Sequence, residues 1–391
     1  MVRPSATRFR ESPDVTQPSI PFVDLQAQYR RIKPAVDARI QTVLDHGRFI
    51  LGPEVAELEA ALAKASGAAH VVGVSSGTDA LRIPLMAENV GAGDAVFLPG
   101  FTYTATAEVP VTLGATPVFV DVDRHSYNLD AAALDRAVEQ VKRDGKLRPR
   151  AVIAVDLFGL PADYPALSAV CQRHGLLLIE DAAQSFGSRQ GNTFVGALAP
   201  VAATSFFPAK PLGCYGDGGA IFCDSAERAA LYRSIRFHGM GANPYDMVRI
   251  GINGRLDTIQ AAVLLAKLEV FDEETEKRRA VAARYDAALR GRVTLPPTAP
   301  GTALAYYCIL VEDRDRVQAA LQREGIPTAI YYPKPMHFQE AYAQWSAGPG
   351  SLPVSERLCG QILALPFHPY LDEATQGRIV AALMRAIAKA A

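Results

Sequence analysis

The feature that most constrains the fold is an alternation of short apolar runs with helix-like segments. Helix-like segments such as Glu54–Ala65, Ala131–Lys142 and Tyr164–His174 separate several of these runs. Several runs are apolar on both faces, as in a parallel sheet that is covered on both sides. The pattern therefore predicts a layered α/β fold. The runs of strand length lie at 70–75, 95–99, 117–122, 151–157, 176–179, 202–207 and 220–222.

A second, smaller α+β region is predicted toward the C-terminus. A long linking helix is expected over about 256–289, with Leu256, Ile259 and Val263 on one apolar face. A strand candidate at 303–311 and a helix at 314–324 follow it. The length of 391 residues suits two or three domains. We predict a flexible tail at 1–21, a large domain at 22–270 and a small domain at 271–391.

The composition argues against several classes of protein. The chain has 40 basic and 41 acidic residues and a net charge of −1, which disfavours a nucleic-acid partner. We expect no membrane span, because no apolar run reaches about 18 residues. We expect no metal site, because the histidines lack zinc-binding spacing and no CxxC occurs. The five cysteines are odd in number and widely spaced, so we expect reduced thiols in a cytoplasmic protein.

Residues that could carry chemistry follow three of the apolar runs, where ligands gather in open α/β sheets. The turn Ser76-Gly77-Thr78 opens a helix, so it is either an anion site or an ordinary capped helix start. Glu180 and Asp181 end a buried run, where a carboxylate needs a cationic ring nitrogen or a structural Lys or Arg as partner. Lys210 follows another run, and burial at that position would make its amine nucleophilic. The alternative is an exposed loop lysine, which is the usual place of lysine in proteins.

The order of these three features narrows the chemistry. An anion-binding turn, a strand-end acid and then a loop lysine form the layout of a pyridoxal 5'-phosphate (PLP) enzyme with the aspartate-aminotransferase fold. Neither a GxGxxG fingerprint nor a P-loop competes with this interpretation. The segment 73–77 does match the GxSxG of a hydrolase, with Ser75 as nucleophile. That alternative leaves the Lys210 loop unexplained.

The chain resembles the DegT/StrS family of PLP-dependent nucleotide-sugar aminotransferases from about Phe22 to its C-terminus. The resemblance implies a transaminase of PLP fold type I. Its large domain would hold a mostly parallel seven-stranded sheet, and a smaller α+β domain would follow. The resemblance also implies a homodimer with shared active sites. The matching segments lie at 22–25, 52–55, 76–81, 99–103, 180–184, 205–219 and 251–257.

The resemblance also implies roles for residues around the cofactor. Lys210 matches the Schiff-base lysine, and Asp181 matches the acid on the pyridinium nitrogen. Gln184 matches a residue near the cofactor's 3-hydroxyl, and Tyr103 matches the aromatic stacked on the ring. The residues that match contacts to the cofactor phosphate are Gly77, Thr78, Ser205 and, from the neighbouring subunit, Asn253.

Substrates are implied in the same way, with Arg255, Tyr331 and Tyr332 at the family's sugar contacts. The Lys210 loop is most similar to that of enzymes that aminate UDP-linked 3-ketosugars for lipopolysaccharide and O-antigen, with L-glutamate as the amino donor. Relatives that use UDP-2-acetamido-2-deoxy-ribo-hex-3-uluronate carry a His-Tyr pair where this chain has Tyr331-Tyr332. Plain UDP-3-keto-N-acetylglucosamine therefore stays open beside its uronic acid.

Three alternatives remain at this point. A dTDP- or UDP-linked 4-ketosugar aminotransferase would use the same chemistry at another carbon. A non-catalytic regulatory protein of the same fold is the second, although no basic segment supports DNA binding. The third keeps PLP but changes the reaction, as in a lyase or a desulfurase, and a desulfurase would need a nucleophilic cysteine. Cys214 lies near Lys210 in sequence, but we expect it to be structural.

Overall fold

The structure is a computed structural model and describes residues 20–388. Of the tail predicted at 1–21, only Ile20 and Pro21 lie within the described residues, and Ile20 is buried. None of the helices in the described range is long and apolar enough to cross a membrane. The first half contains α1 (Leu25–His46), α2 (Pro53–Ser66), β1 (His70–Val74), α3 (Gly77–Ala87), β2 (Asp94–Pro99), α4 (Ala105–Thr112), β3 (Thr116–Val120), α5 (Ala131–Asp144), β4 (Arg148–Val155), α6 (Tyr164–His174) and β5 (Leu177–Asp181).

The second half begins with a short hairpin and then completes the large sheet. Its elements are β6 (Arg189–Gln190), β7 (Thr193–Phe194), β8 (Val201–Ser205), β9 (Gly219–Cys223), α7 (Ala226–Ile235), α8 (Thr258–Leu268), α9 (Phe271–Leu289), β10 (Tyr307–Leu310), α10 (Arg314–Arg323), α11 (Pro353–Gln361), β11 (Ile362–Leu365) and α12 (Glu373–Ala388).

A seven-stranded sheet organises the molecule, in the order β1-β9-β8-β5-β4-β2-β3. Every neighbouring pair is parallel except the two that involve β9, which runs antiparallel to β1 and β8. All seven apolar runs become its strands, which confirms the predicted α/β fold and mostly parallel sheet. Because six strands share one direction, their carboxyl ends meet at one edge, where the predicted site residues lie.

Both faces of the sheet are covered, because successive side chains of a strand point to opposite sides. In β2, Val96 and Leu98 pack in a cluster with residues of α3, α4 and α7. Ala95 and Phe97, which alternate with them along the strand, pack on the opposite side with residues of α5 and α6. Full burial of each large apolar side chain stabilises the fold by about 1.5–3 kcal/mol, so this sandwich holds the strand ends in place.

A separate hydrophobic cluster forms around β10 and β11, which pair antiparallel. It combines side chains of α9, α10 and α12, such as Tyr285, Leu321 and Ile379, with Ile20 from the start of the described chain. This cluster supports the division into domains 22–270 and 271–391, which remains a prediction.

The prediction of one long helix over about 256–289 is wrong. The structure has α8 and α9 instead, separated by Glu269 and Val270. Val270 has φ −113° and ψ 0°, outside the α-helical region. The two helices bury different faces: Leu264 of α8 packs in a cluster with α2, whereas Tyr285 of α9 packs in the C-terminal cluster. The break between the two helices lets the chain pack in both clusters.

Candidate active site

A cavity of about 410 Å³ opens at the carboxyl edge of the sheet, within the size range of small-molecule sites. Its walls come from several distant stretches of sequence, which the parallel strands bring together. Of the predicted site residues, those that line it are Gly77, Thr78, Tyr103, Asp181, Gln184, Ser205, Lys210, Tyr331 and Tyr332.

The turn between β1 and α3 lies against the end of β8. Ser76 caps α3 by accepting the Asp79 N–H at 3.1 Å, so the ordinary interpretation of this turn is correct. It does not exclude anion binding, because the first N–H groups of a helix have no acceptor within the helix. A Cβ on Gly77 would lie only 2.6 Å from the Ser205 Cβ. Glycine therefore lets two backbones form one narrow cradle.

Asp181 ends β5 and is buried at the floor of the cavity. Its carboxylate accepts the Thr106 hydroxyl and the Ala183 N–H, each at 3.2 Å. Burial raises the pKa of Asp181, while the Ala183 N–H and the Lys210 charge oppose that rise. Glu180 has a different role, because its carboxylate accepts the N–H groups of Gly196 and Leu198. Of this pair, the Asp181 carboxylate is therefore the one that faces the cavity and is available to a ligand.

Lys210 lies in a tight loop whose ends are closed by a hydrogen bond from the Cys214 N–H to the Phe206 carbonyl. Burial lowers the pKa of the Lys210 amine to about 8, and the Asp181 charge opposes this shift. Its Nζ lies 5.8 Å from the centroid of the Tyr306 ring. The amine is therefore partly neutral near physiological pH, as a nucleophile or base requires.

Gln184 joins the cavity floor to an aromatic wall. Its Oε1 accepts the Phe158 N–H at 2.9 Å, and its Nε2 donates to the Tyr332 hydroxyl at 3.1 Å. The ring centroids of Tyr103 and Tyr332 lie 6.2 Å apart, and Tyr103 is more than half exposed. Its accessible face can stack on a planar ring that enters the cavity.

Two predicted site residues do not line the cavity of their own protomer. Asn253 is exposed and pairs by its backbone with Phe237. Arg255 is half-buried with its guanidinium 4.8 Å from the Phe237 ring centroid, and its buried Nε has no hydrogen-bond partner among residues 20–388. The structure brings together nine of the eleven predicted residues and leaves these two outside.

Sequence reasoning missed four residues of this region. Tyr306 and Asp217 line the cavity, and Thr106 and Asp156 act around Asp181. Asp156 follows β4 and accepts the hydroxyls of Tyr164 and Ser185, each at 2.8 Å. The strand-end rule that selected Asp181 would also have selected Asp156. No comparable signal exists for Tyr306, which enters from the C-terminal part of the chain.

The structure disfavours two of the alternative functions. Ser75, the candidate hydrolase nucleophile, donates its hydroxyl to the Asp79 carboxylate. Within residues 20–388, no histidine is hydrogen-bonded to either side chain. Cys214 is buried, and burial raises the pKa of its thiol to about 11. It is therefore a poor nucleophile, in line with its predicted structural role.

The cavity residues fit PLP in three chemically distinct ways. The Gly77–Ser205 cradle offers first-turn N–H groups to a phosphate, the Asp181 carboxylate suits a ring nitrogen, and the Lys210 amine suits an aldehyde. With the seven-stranded sheet, these features define the class of fold-type-I PLP enzymes.

Comparison with known proteins gives the family. The DegT/DnrJ/EryC1/StrS aminotransferase family matches residues 30–384. The chain is 47% identical to the UDP-2-acetamido-2-deoxy-3-oxo-D-glucuronate aminotransferase of Pseudomonas aeruginosa, over 93% of this chain and 99% of that protein. It is 39% identical to the UDP-N-acetyl-3-dehydro-alpha-D-glucosamine 3-aminotransferase of Acidithiobacillus ferrooxidans, over 94% of this chain and 98% of that protein.

A solved structure agrees with this assignment. The crystal structure of a DegT DnrJ EryC1 StrS aminotransferase from Brucella abortus superimposes with a TM-score of 0.92 at 52% identity, covering 94% of this chain and 99% of that chain. The chain therefore belongs to the DegT/DnrJ/EryC1/StrS aminotransferase family, and it is a PLP-dependent sugar aminotransferase.

Proposed function

We propose that this enzyme moves the amino group of L-glutamate onto C3 of a UDP-linked 3-keto-N-acetylglucosamine or its uronic acid, for lipopolysaccharide or O-antigen synthesis. The observation that carries the proposal is the convergence of Lys210, Asp181 and the Gly77–Ser205 cradle in one cavity. The choice of sugar is supported by two relatives whose names both specify a 3-oxo or 3-dehydro UDP-sugar.

Bound PLP supplies an aldehyde that condenses with amines and a ring that accepts the electrons of a carbanion. In this proposal, the N–H groups of Gly77 and Thr78 and the Ser205 hydroxyl hold its phosphate. Tyr103 would stack on the ring of bound PLP, and Gln184 would hydrogen-bond near its 3-hydroxyl. These contacts fix the orientation of the ring relative to Lys210.

Lys210 is the residue that moves protons. With a pKa near 8, its Nζ can take a proton from the α-carbon of the amino donor and release it again at the same pH. The surrounding wall supports this role, because Tyr306 and neighbouring aromatic rings keep bulk water from the amine. Lys210 therefore acts as base in one half-reaction and as acid in the other.

Asp181 keeps a negative charge against the ring nitrogen. Burial raises its pKa, so in the free protein the carboxylate is destabilised and would gain from a cationic partner. A protonated ring nitrogen supplies that partner and satisfies the buried charge. Thr106, which donates to the Asp181 Oδ2 at 3.2 Å, orients the carboxylate.

The sugar is proposed to lie along the aromatic wall. Tyr331 and Tyr332 line the outer cavity, and the Tyr306 and Tyr331 ring centroids are 4.7 Å apart. Lys210 is the only cation that lines the cavity within residues 20–388. The diphosphate of a nucleotide sugar therefore needs cations from elsewhere, and Arg255 of a second subunit is our candidate.

We infer a homodimer with shared active sites from the segment that carries Asn253 and Arg255. Large apolar side chains there face solvent, with Tyr245 at 94% and Ile250 at 86% exposure. Exposed apolar clusters of this kind mark protein interfaces. A second copy of the chain would cover them and bring Asn253 to a neighbouring phosphate cradle.

Complementation between two inactive variants tests shared sites. Lys210→Ala and Asn253→Ala should each lose most activity alone. When the two are unfolded together and refolded as mixed dimers, one site in each mixed dimer regains both residues and activity should return. Failure of the mixture to exceed either parent would contradict a shared site.

A cytoplasmic location is also proposed. All five cysteines lie within the described residues, and all are free and buried. Reduced thiols without disulfides are typical of a reducing compartment.

The substrate is tested with purified holoenzyme, L-glutamate and a panel of ketosugars. The panel pairs UDP-3-keto-N-acetylglucosamine with its uronic acid and adds UDP- and dTDP-linked 4-ketosugars. We expect a 3-amino product, located by NMR, from one or both 3-ketosugars. Turnover of only the 4-ketosugars would overturn the proposed position of amination, and Lys210→Ala is the matched control.

A further inference from the structure

The loop that carries Lys210 is compact, because its backbone segments approach one another closely. A Cβ on Gly213 would lie 2.5 Å from the Pro208 carbonyl oxygen and 2.6 Å from that of Phe207. The two ends of the loop meet where the Cys214 N–H donates to the Phe206 carbonyl at 2.8 Å. Two of its carbonyl groups, those of Pro211 and Gly213, accept hydrogen bonds from side chains outside the loop.

Helix α8 supplies contacts on the side of the loop away from the cavity. The Tyr215 N–H donates to the Gln260 side chain at 2.9 Å, and Lys267 donates from Nζ to the Gly213 carbonyl at 2.5 Å. The Lys267 Nζ also lies 4.4 Å from the centroid of the Tyr215 ring. Gln260 and Lys267 are two helical turns apart, so one face of α8 holds both contacts.

Lys267 is an unusual residue to find there. It is only 2% exposed, and its one hydrogen bond within the described part of the chain goes to a carbonyl group instead of a carboxylate. Burial lowers the pKa of its amine to about 8, and the charges of Cys214 and Glu274 oppose that shift. A buried ammonium without a hydrogen-bonded counter-ion is costly, and methionine would fill similar space without that cost. Stability alone therefore does not account for a lysine at this position.

A second contact, which is partly buried, acts on the same loop. Arg278 of α9 reaches the Pro211 carbonyl at 3.5 Å, a longer and weaker contact than that of Lys267. The loop is thus held by cationic donors at its Pro211 and Gly213 carbonyls, while Lys210 of the same loop lines the cavity.

We propose that Lys267 is a positioning residue: through the Gly213 carbonyl it holds the Lys210 loop closed, so that the Lys210 amine stays oriented and shielded from water. This inference rests on the proposed role of Lys210. It adds a residue that touches neither substrate nor cofactor and that acts through the loop backbone.

The effect of Lys267 on the Lys210 loop can be measured without catalysis. Burial is the main cause of the low pKa of Lys210, so any loosening of the loop that admits water should raise that pKa. Removal of Lys267 should therefore shift the pKa of Lys210 upward, by about one unit. A role in stability alone would leave the pKa of Lys210 where it is.

The experiment uses apo-protein and competitive reductive methylation across a pH series, with each lysine followed by peptide mass spectrometry. Lys267→Met removes the donor, and Lys267→Gln keeps a shorter one. Val138→Ala, on the buried face of α5, is a control that lowers stability far from the loop. The exposed Lys64 serves as an internal reference in every sample.

We expect the pKa of Lys210 to rise in Lys267→Met, to rise less in Lys267→Gln, and to stay unchanged in Val138→Ala. An unchanged pKa in Lys267→Met, or an equal rise in Val138→Ala, would overturn the proposal. If Lys267→Met does not fold, an unchanged pKa in Lys267→Gln overturns it. The labelling result is independent of turnover, so full activity in Lys210→Ala would refute the proposed function and leave this test intact.

Discussion

Substitution of Gly77 by alanine tests the phosphate cradle directly. The new Cβ would lie 2.6 Å from the Ser205 Cβ and 3.1 Å from the Ser205 Oγ. Carbon atoms in contact need about 3.5 Å, so the β1–α3 turn and the end of β8 must separate by about 0.9 Å. Overpacking of this kind typically costs about 1–3 kcal/mol. The same displacement moves the first N–H groups of α3 away from the proposed phosphate position.

The effect should appear in cofactor affinity. A loss of about 1.4–2.8 kcal/mol corresponds to a tenfold to hundredfold rise in the Kd for PLP. Spectroscopic titration of apo-protein measures this Kd, and pyridoxal, which lacks the phosphate, is titrated in parallel. We expect Gly77→Ala to weaken PLP binding and to leave pyridoxal binding nearly unchanged.

A matched control is Gly377→Ala in α12, where a Cβ would meet nothing within 4 Å. That change should stabilise the helix by about 0.5–1 kcal/mol and leave both affinities alone. Equal weakening of PLP and pyridoxal by Gly77→Ala would refute the reasoning, because the loss would then lie outside the phosphate contact. An unchanged Kd for PLP would refute it as well.

Three further predictions concern buried groups. Burial raises the pKa of Asp156 to about 7, so the folded protein favours the protonated carboxyl. The contribution of Asp156 to the free energy of unfolding is therefore present below about pH 4 and is lost as the pH rises to about 7. Asp156→Asn should flatten that decline in urea-unfolding free energy, and an unchanged slope would contradict the assignment. Native protein should react slowly with a thiol reagent, because all five cysteines are buried, and unfolding should expose five thiols; rapid labelling of Cys214 in the native state would contradict its burial. Tyr332→Phe removes the hydroxyl that accepts the Gln184 amide and should weaken substrate binding by about 1 kcal/mol, measured as a rise in KM. An unchanged KM would show that the sugar binds elsewhere.

The large sheet could be predicted because its signal is local. Each strand is a short apolar run, and residues such as Phe97 and Ile153 are buried on whichever face they point to. Lys210, Asp181 and Gly77 were found for a related reason, since each follows such a run where the strand ends.

The remaining features depend on contacts between distant parts of the chain. The helix break at Val270 lies where the packing changes: α8 and Phe271 share one cluster, whereas the later part of α9 packs in the C-terminal cluster. The continuous helical pattern does not reveal this change. Tyr306 reaches the cavity only through the fold of the C-terminal region. Lys267 looks like an ordinary helical lysine in sequence, and only its contact with Gly213 shows its placement.

Transfer of labelled nitrogen tests the central claim most directly. Holoenzyme is incubated with heavy-nitrogen L-glutamate and UDP-3-keto-N-acetylglucosamine or its uronic acid, and the nucleotide sugar is analysed by mass spectrometry. We predict that the wild-type enzyme places the label in the sugar and that Lys210→Ala does not. Label transfer by Lys210→Ala at the wild-type rate would contradict the account, as would its absence from every ketosugar offered to the wild-type enzyme.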